Sequence, residues 1–89
     1  MLIALIARDT PGALNIRKAN REAHLAYIKE TGVVTQAGPL LDDAGEMIGS
    51  LVILQVQDMA EAQVWADNDP YAKAGLFDSV ELIEWKKVI

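Results

Sequence analysis

Leu2 to Ala7 is an unbroken apolar run, rich enough in Ile and Leu for a buried strand. Arg8-Asp9 ends the run, and Thr10-Pro11-Gly12 breaks the chain. From about Leu14 to Thr31, Ala and straight-chain residues dominate with no interior Gly or Pro, which predicts a helix. Gly32 sits where a left-handed residue closes such a helix. One stripe of this helix carries Ala19, Ala23, Ala26 and Tyr27, with Ile16 at its margin. A second row, at steps of four, three and four, carries Arg17, Arg21, His24 and Ile28, and reads as a polar rim beside the core.

Val33 to Leu41 reads as extended, with Gly38-Pro39 inside it. Pro has no N–H to give a ladder, so this point is an edge, a bulge or the strand's end. Asp42 to Glu46 is a turn. Met47 to Gln57 is the strongest strand pattern in the chain. Asp58 followed three residues later by Glu61 is a capping box, and predicts a helix to about Asp67. Asp69-Pro70 starts a further short helical turn that Gly75 closes, and Ser79 to Ile89 is a β-rich terminal strand.

The order is β-α-β-β-α-β, the split pattern of ferredoxin-like α+β folds: one domain over residues 1–89, with a four-stranded antiparallel sheet and two helices on one face. The strands are apolar on both sides. Val52, Leu54 and Val56 oppose Leu51 and Ile53, and Val80, Leu82 and Val88 oppose Ile83, Trp85 and Ile89. A sheet with one face in water alternates apolar with polar, and these do not. The same sheet of a second copy is the economical cover, so the pattern predicts a homodimer packed sheet to sheet.

Composition strengthens that expectation. A chain of 89 residues buries only roughly 60–65% of its unfolded surface, yet 52% of its residues are hydrophobic. The 8 basic and 13 acidic residues leave a net charge of −5, which argues against nucleic acid as a partner. The absence of cysteine excludes disulfides, thiolate nucleophiles and Cys-based metal sites. The opening MLIALIARDT lacks the basic start of a signal peptide, and no window has the roughly 18 apolar residues of a membrane span. The expectation is a cytoplasmic protein with no membrane partner.

Few residues carry chemistry. Asp69 is a good N-cap, because its carboxylate can accept an N–H of the first turn, and Pro70 suits the next position. The same carboxylate has acceptor capacity for a second partner. His24 is the chain's one histidine. A lone mid-helix histidine is ordinarily a boundary residue, but one oriented by a carboxylate keeps a defined tautomer and works as a general base or acid. Arg21, one turn before His24, suits an anionic substrate group. Ser50, beside Gly49, is either a solvent-facing serine or a ligand contact at the strand end, and lacks the nucleophile turn of a serine hydrolase. Tyr71 either walls a pocket or packs beneath the short helix. One histidine with scattered acids makes no metal site, and GPLLDDAG lacks the ending of a phosphate loop, so neither metal nor cofactor is expected. Trp65 and Trp85 read as core or interface rather than as a stacking platform.

REAHLAYI (21–28), AGPLL (37–41), GSLVIL (49–54), DPYAKAGLF (69–77) and IEW (83–85) together resemble the YciI-like, or YCII-related, family over nearly the whole chain. The resemblance implies a dimeric α+β barrel. It also implies an active site in which His24 faces Asp69, with Gly49-Ser50 near the same cleft. Dehydrochlorinase-type relatives in aromatic degradation suggest acid–base chemistry on small rings. Two functions follow as expectations. One is a small enzyme in which a His24–Asp69 dyad performs elimination, isomerisation or lactone-type chemistry on a small cyclic or carbonyl compound, with Arg21, Ser50 and Tyr71 holding it. The other is a non-catalytic module for binding a small ligand or supporting an assembly.

Overall fold

The computed structural model covers residues 1–89. The elements are β1 (Leu2–Asp9), α1 (Leu14–Thr31), β2 (Val34–Leu41), β3 (Met47–Gln55), α2 (Met59–Asn68), α3 (Pro70–Lys73) and β4 (Phe77–Trp85). The strands form one antiparallel sheet in the order β2-β3-β1-β4, the ferredoxin-like α+β arrangement. Pro39 lies in β2, an edge strand, where a missing donor costs least.

The start and stop signals work as read. Gly32 adopts φ 66° and its N–H bonds to Ile28 C=O. Asp58 accepts the Glu61 N–H at 2.8 Å, while the Glu61 carboxylate reaches back to the Gln57 N–H at 3.0 Å. Two strand ends differ from expectation. β3 stops at Gln55 rather than Gln57, and β4 runs Phe77–Trp85 rather than Ser79–Ile89. Both limits come from β1 between them: its ladder begins at Leu2, which pairs with Gln55 on one side and Trp85 on the other. Beyond Trp85 there is no strand partner, and Val88 and Ile89 are exposed. β1 in turn extends past Ala7 to Asp9, where a register shift against β4 falls between Arg8 and Asp9.

Ile3, Leu5, Ala7, Val52, Leu54 and Val56 form the covered face of the sheet and pack with Ala62, Trp65 and Ala66 of α2. Complete burial of each large aliphatic side chain stabilises the fold by roughly 1.5–3 kcal/mol. Trp65 ties α2 to the end of α1: its indole N–H donates to Thr31 Oγ1 at 2.9 Å, and its carbonyl accepts the Tyr27 hydroxyl at 2.9 Å.

α1 faces the sheet by an unexpected row. Ala19, Ala23 and Ala26 are exposed, whereas Arg17 and His24 are buried and Tyr27 and Ile28 are half-buried. Methyl side chains gain little by burial. Longer polar side chains can turn inward when every charge meets a partner, as happens here.

The opposite face of the sheet is open. Leu51, Ile83 and Trp85 are 40%, 49% and 37% exposed, beside half-buried Leu2 and Ile6. Only 19 of 89 residues are buried, so the internal core is thin.

Candidate active site

The four buried polar or charged residues are Arg17, His24, Ser50 and Asp69, and all belong to one cluster between α1, α3 and the covered face of the sheet. Burying four such groups costs stability unless each is bonded. No buried side-chain nitrogen or oxygen lacks a partner.

Asp69 links two jobs. α2 ends at Asn68, Asp69 is extended, and Pro70 opens α3. Asp69 Oδ1 accepts the Tyr71 N–H at 3.0 Å, the cap that the Asp-Pro pair predicts. The same oxygen lies 2.8 Å from His24 Nδ1, 45 residues away in sequence. The side chains are 8% and 1% exposed. With Nδ1 committed to a carboxylate, its proton is held there and Nε2 is the nitrogen left for exchange. His24 lines a cavity of about 220 Å³.

Tyr71 packs on this pair. Its ring stacks on the imidazole at a centroid separation of 3.9 Å and 15° between planes. Phe77 meets the Tyr71 ring edge-on at 6.0 Å, and the Arg17 guanidinium sits 4.8 Å from its centroid. Tyr71 therefore both walls the cavity and packs at the short helix. Burial raises the Tyr71 hydroxyl above its ordinary value, although Arg17 and Arg21 pull it down.

A second buried pair stands beside the first. Arg17 grips Asp9 with two hydrogen bonds of 2.8 Å, from Nε to Oδ2 and from Nη2 to Oδ1. Nη2 also donates to Ser50 Oγ at 2.9 Å. Burial works against the Arg17 charge, but the hydrogen bonds and field of Asp9 outweigh it and hold the guanidinium above its ordinary value. Sequence reasoning placed Arg17 on a polar rim and did not single out Asp9. The available signal was an acid just before the Thr10–Gly12 turn and an arginine in the first turns after it.

Ser50 is held in place by Gly49. A Cβ at Gly49 would collide with the Ala7 carbonyl oxygen, so only glycine lets β3 approach β1 this closely. Ser50 then points to the helix side, paired with Ala7 and Pro39. It is buried, not solvent-facing.

Ala37, Gly38 and Pro39 of β2 also line the cavity. Arg21 lies at its exposed rim and makes no salt bridge or hydrogen bond through its side chain, in contrast to Arg17. The lining contains Arg17, Arg21 and His24 but no carboxylate, within a chain of net charge −5. A void of ~150 Å³ suffices for benzene, so this cavity admits one small ring with substituents. No three His, Asp or Glu side chains converge as metal ligands, and no helix is long and apolar enough to cross a membrane.

The chain resembles known proteins along its length. The YCII-related domain model matches residues 1–86. Protein YciI of Escherichia coli is 36% identical over 97 aligned residues, covering 99% of both chains. An uncharacterized protein of Haemophilus influenzae matches at 36% with the same coverage. Among solved structures, 5-chloro-2-hydroxyhydroquinone dehydrochlorinase from Burkholderia phenoliruptrix, in complex with 2,5-dihydroxybenzoquinone, is 35% identical with a TM-score of 0.87, covering 97% of this chain and 94% of that one. An antibiotic biosynthesis monooxygenase, at 12% identity and a TM-score of 0.56, covers 98% of this chain and 100% of its own, and shares the fold alone. With motifs, fold and full-length relatives in agreement, the chain belongs to the YCII-related family.

Proposed function

We propose that this protein is a small acid–base enzyme acting on a compact cyclic or carbonyl compound, with His24 as the proton-transfer group and Asp69 as its orienting partner. The observation that carries the reading is the 2.8 Å Asp69–His24 contact, buried yet bordering a cavity of about 220 Å³. In this reading Nε2 takes a proton from the bound compound, and Asp69 fixes the tautomer and stabilises the imidazolium that forms. Arg21 and Ser50 hold the ligand's oxygens, and Tyr71 supplies a flat wall. Elimination fits this machinery: a base removes a proton as a leaving group departs with its electron pair. The dehydrochlorinase at 35% identity makes elimination from a hydroxylated ring the first reaction to try.

The open face of the sheet supports a second element of the proposal, a homodimer packed sheet to sheet. Light scattering at micromolar concentration is expected to give twice the chain mass.

The enzyme reading is tested by chloride release from 5-chloro-2-hydroxyhydroquinone. His24→Ala and Asp69→Asn are each expected to lose about 10²–10⁴-fold in turnover, with far-UV circular dichroism unchanged. Equal rates in wild type and both variants would refute the dyad. A second reading rests on the shared oxygen of Asp69: because it caps α3, the carboxylate has a structural use without catalysis. Binding of ring compounds with no conversion of any of them supports that non-catalytic module.

A further inference from the structure

Ser50 has a hydroxyl with one proton to give and two lone pairs to offer. Its one side-chain hydrogen bond within the protein is accepted, from Arg17 Nη2 at 2.9 Å. A guanidinium has no lone pair to accept anything in return. Arg17 is itself immobilised: Nε and Nη2 are both spent on Asp9, and the arginine is 3% exposed. The Ser50 proton therefore has no acceptor among the groups that hold its oxygen, and Ser50, itself 3% exposed, borders the cavity.

We propose that Asp9 and Arg17 are positioning residues that commit the Ser50 hydroxyl to donate into the cavity, so that the site selects a ligand presenting an ionised oxygen there. The proposal rests on the reading of this cavity as a binding site for a small ring. Three features point the same way. The Arg17 charge is paired with Asp9, and its Nη2 bonds Ser50 Oγ, so the cation polarises and aims the hydroxyl. Arg21 at the rim carries a cation without an internal partner. No lining residue offers a carboxylate to compete with an incoming anion. Chain separation explains why a pair is needed. Asp9 closes β1, Arg17 is in the first turns of α1 and Ser50 is in β3, so the Asp9–Arg17 grip fixes the helix start against β1, the neighbour of the strand that carries the serine.

Two measurements test it. The first needs no ligand and no variant: a neutron structure of the crystallised protein. The Ser50 deuteron is expected to point into the cavity, with an Arg17 deuteron directed at Oγ. A Ser50 deuteron directed at Asp9 overturns the proposal. The second compares binding of 2,5-dihydroxybenzoquinone, whose hydroxyls are vinylogous acids already ionised at neutral pH, with binding of 2,5-dimethylbenzoquinone, similar in size and neutral. Wild type is expected to prefer the first. Ser50→Ala and Asp9→Asn are each expected to lower that preference by about tenfold, the double variant no further than either single one, and Asp9→Glu to restore part of it. If Asp9→Asn weakens both compounds equally, Asp9 is only structural and the proposal falls. Binding of neither compound by wild type counts against the small-ring reading of the cavity, and the neutron map then decides the positioning claim alone.

Discussion

Asp9–Arg17 and Asp69–His24 are two buried acid–base pairs with the same 2.8 Å spacing, and both basic side chains lie against Tyr71. They differ in what the basic group can still do. Arg17 never loses its proton under ordinary conditions, and it binds the carboxylate through two donors and Ser50 through a further contact. His24 spends one nitrogen on Asp69 and keeps the other. A group that never gives up its proton suits a brace, and an imidazole with one ring nitrogen left over suits proton exchange. The same contact distance therefore supports opposite uses, and the difference lies in the donor inventory of the side chain.

The most forceful way to break the comparison is Arg17→Met. It strands the Asp9 carboxylate in a buried place, and is expected to destabilise the fold by about 3–5 kcal/mol in urea unfolding. The double variant Asp9→Leu/Arg17→Met removes both charges and is expected to recover most of that loss. Next comes Gly49→Ala, which drives a methyl group into the Ala7 carbonyl and moves Ser50 off Arg17. A cost of about 1–3 kcal/mol is expected, read as a lowered midpoint of thermal unfolding. At the other pair, Asp69→Ala is expected to cost about 1 kcal/mol more than Asp69→Asn, because asparagine keeps the α3 cap. Equal midpoints for these two variants would show that the cap contributes nothing.

The smallest effect sharpens the comparison at the residue both pairs touch. Burial raises the Tyr71 hydroxyl above its ordinary 10.0, with Arg17 and Arg21 opposing. Tyr27 is raised in the same direction by burial and by Asp69. The folded chain thus keeps protons that the unfolded chain releases. Their stabilising contribution is complete below about pH 10 and is lost as pH rises through the raised values. Tyr71→Phe and Tyr27→Phe are each expected to flatten the fall in stability between about pH 9 and 11, as followed by urea midpoints.

The parts of this molecule that depend on neighbours in sequence were legible in it. Gly32, the Asp58–Glu61 box and the Asp69-Pro70 start each work within a few residues, and each forms as read. The His24–Asp69 meeting needs a partner 45 positions away, and only family likeness brought the two together beforehand. Arg17 and Asp9 show the limit of periodicity. A hydropathy pattern assigns arginine to solvent and alanine to the interior, yet here alanine is outside and the arginine is inside, paired with Asp9 and bonded to Ser50. Strand ends were missed for a related reason: β4 is no longer than the ladder β1 can offer it, and that length belongs to another segment.

Ala37, Gly38 and Pro39 border the cavity on one side and, with Leu51, a shallow cleft on the other. All three belong to β2, at the free margin of the sheet. Pressure on the outer cleft is therefore pressure on a wall of the inner chamber, and any body that settles over the bare side of the sheet also bears on that wall.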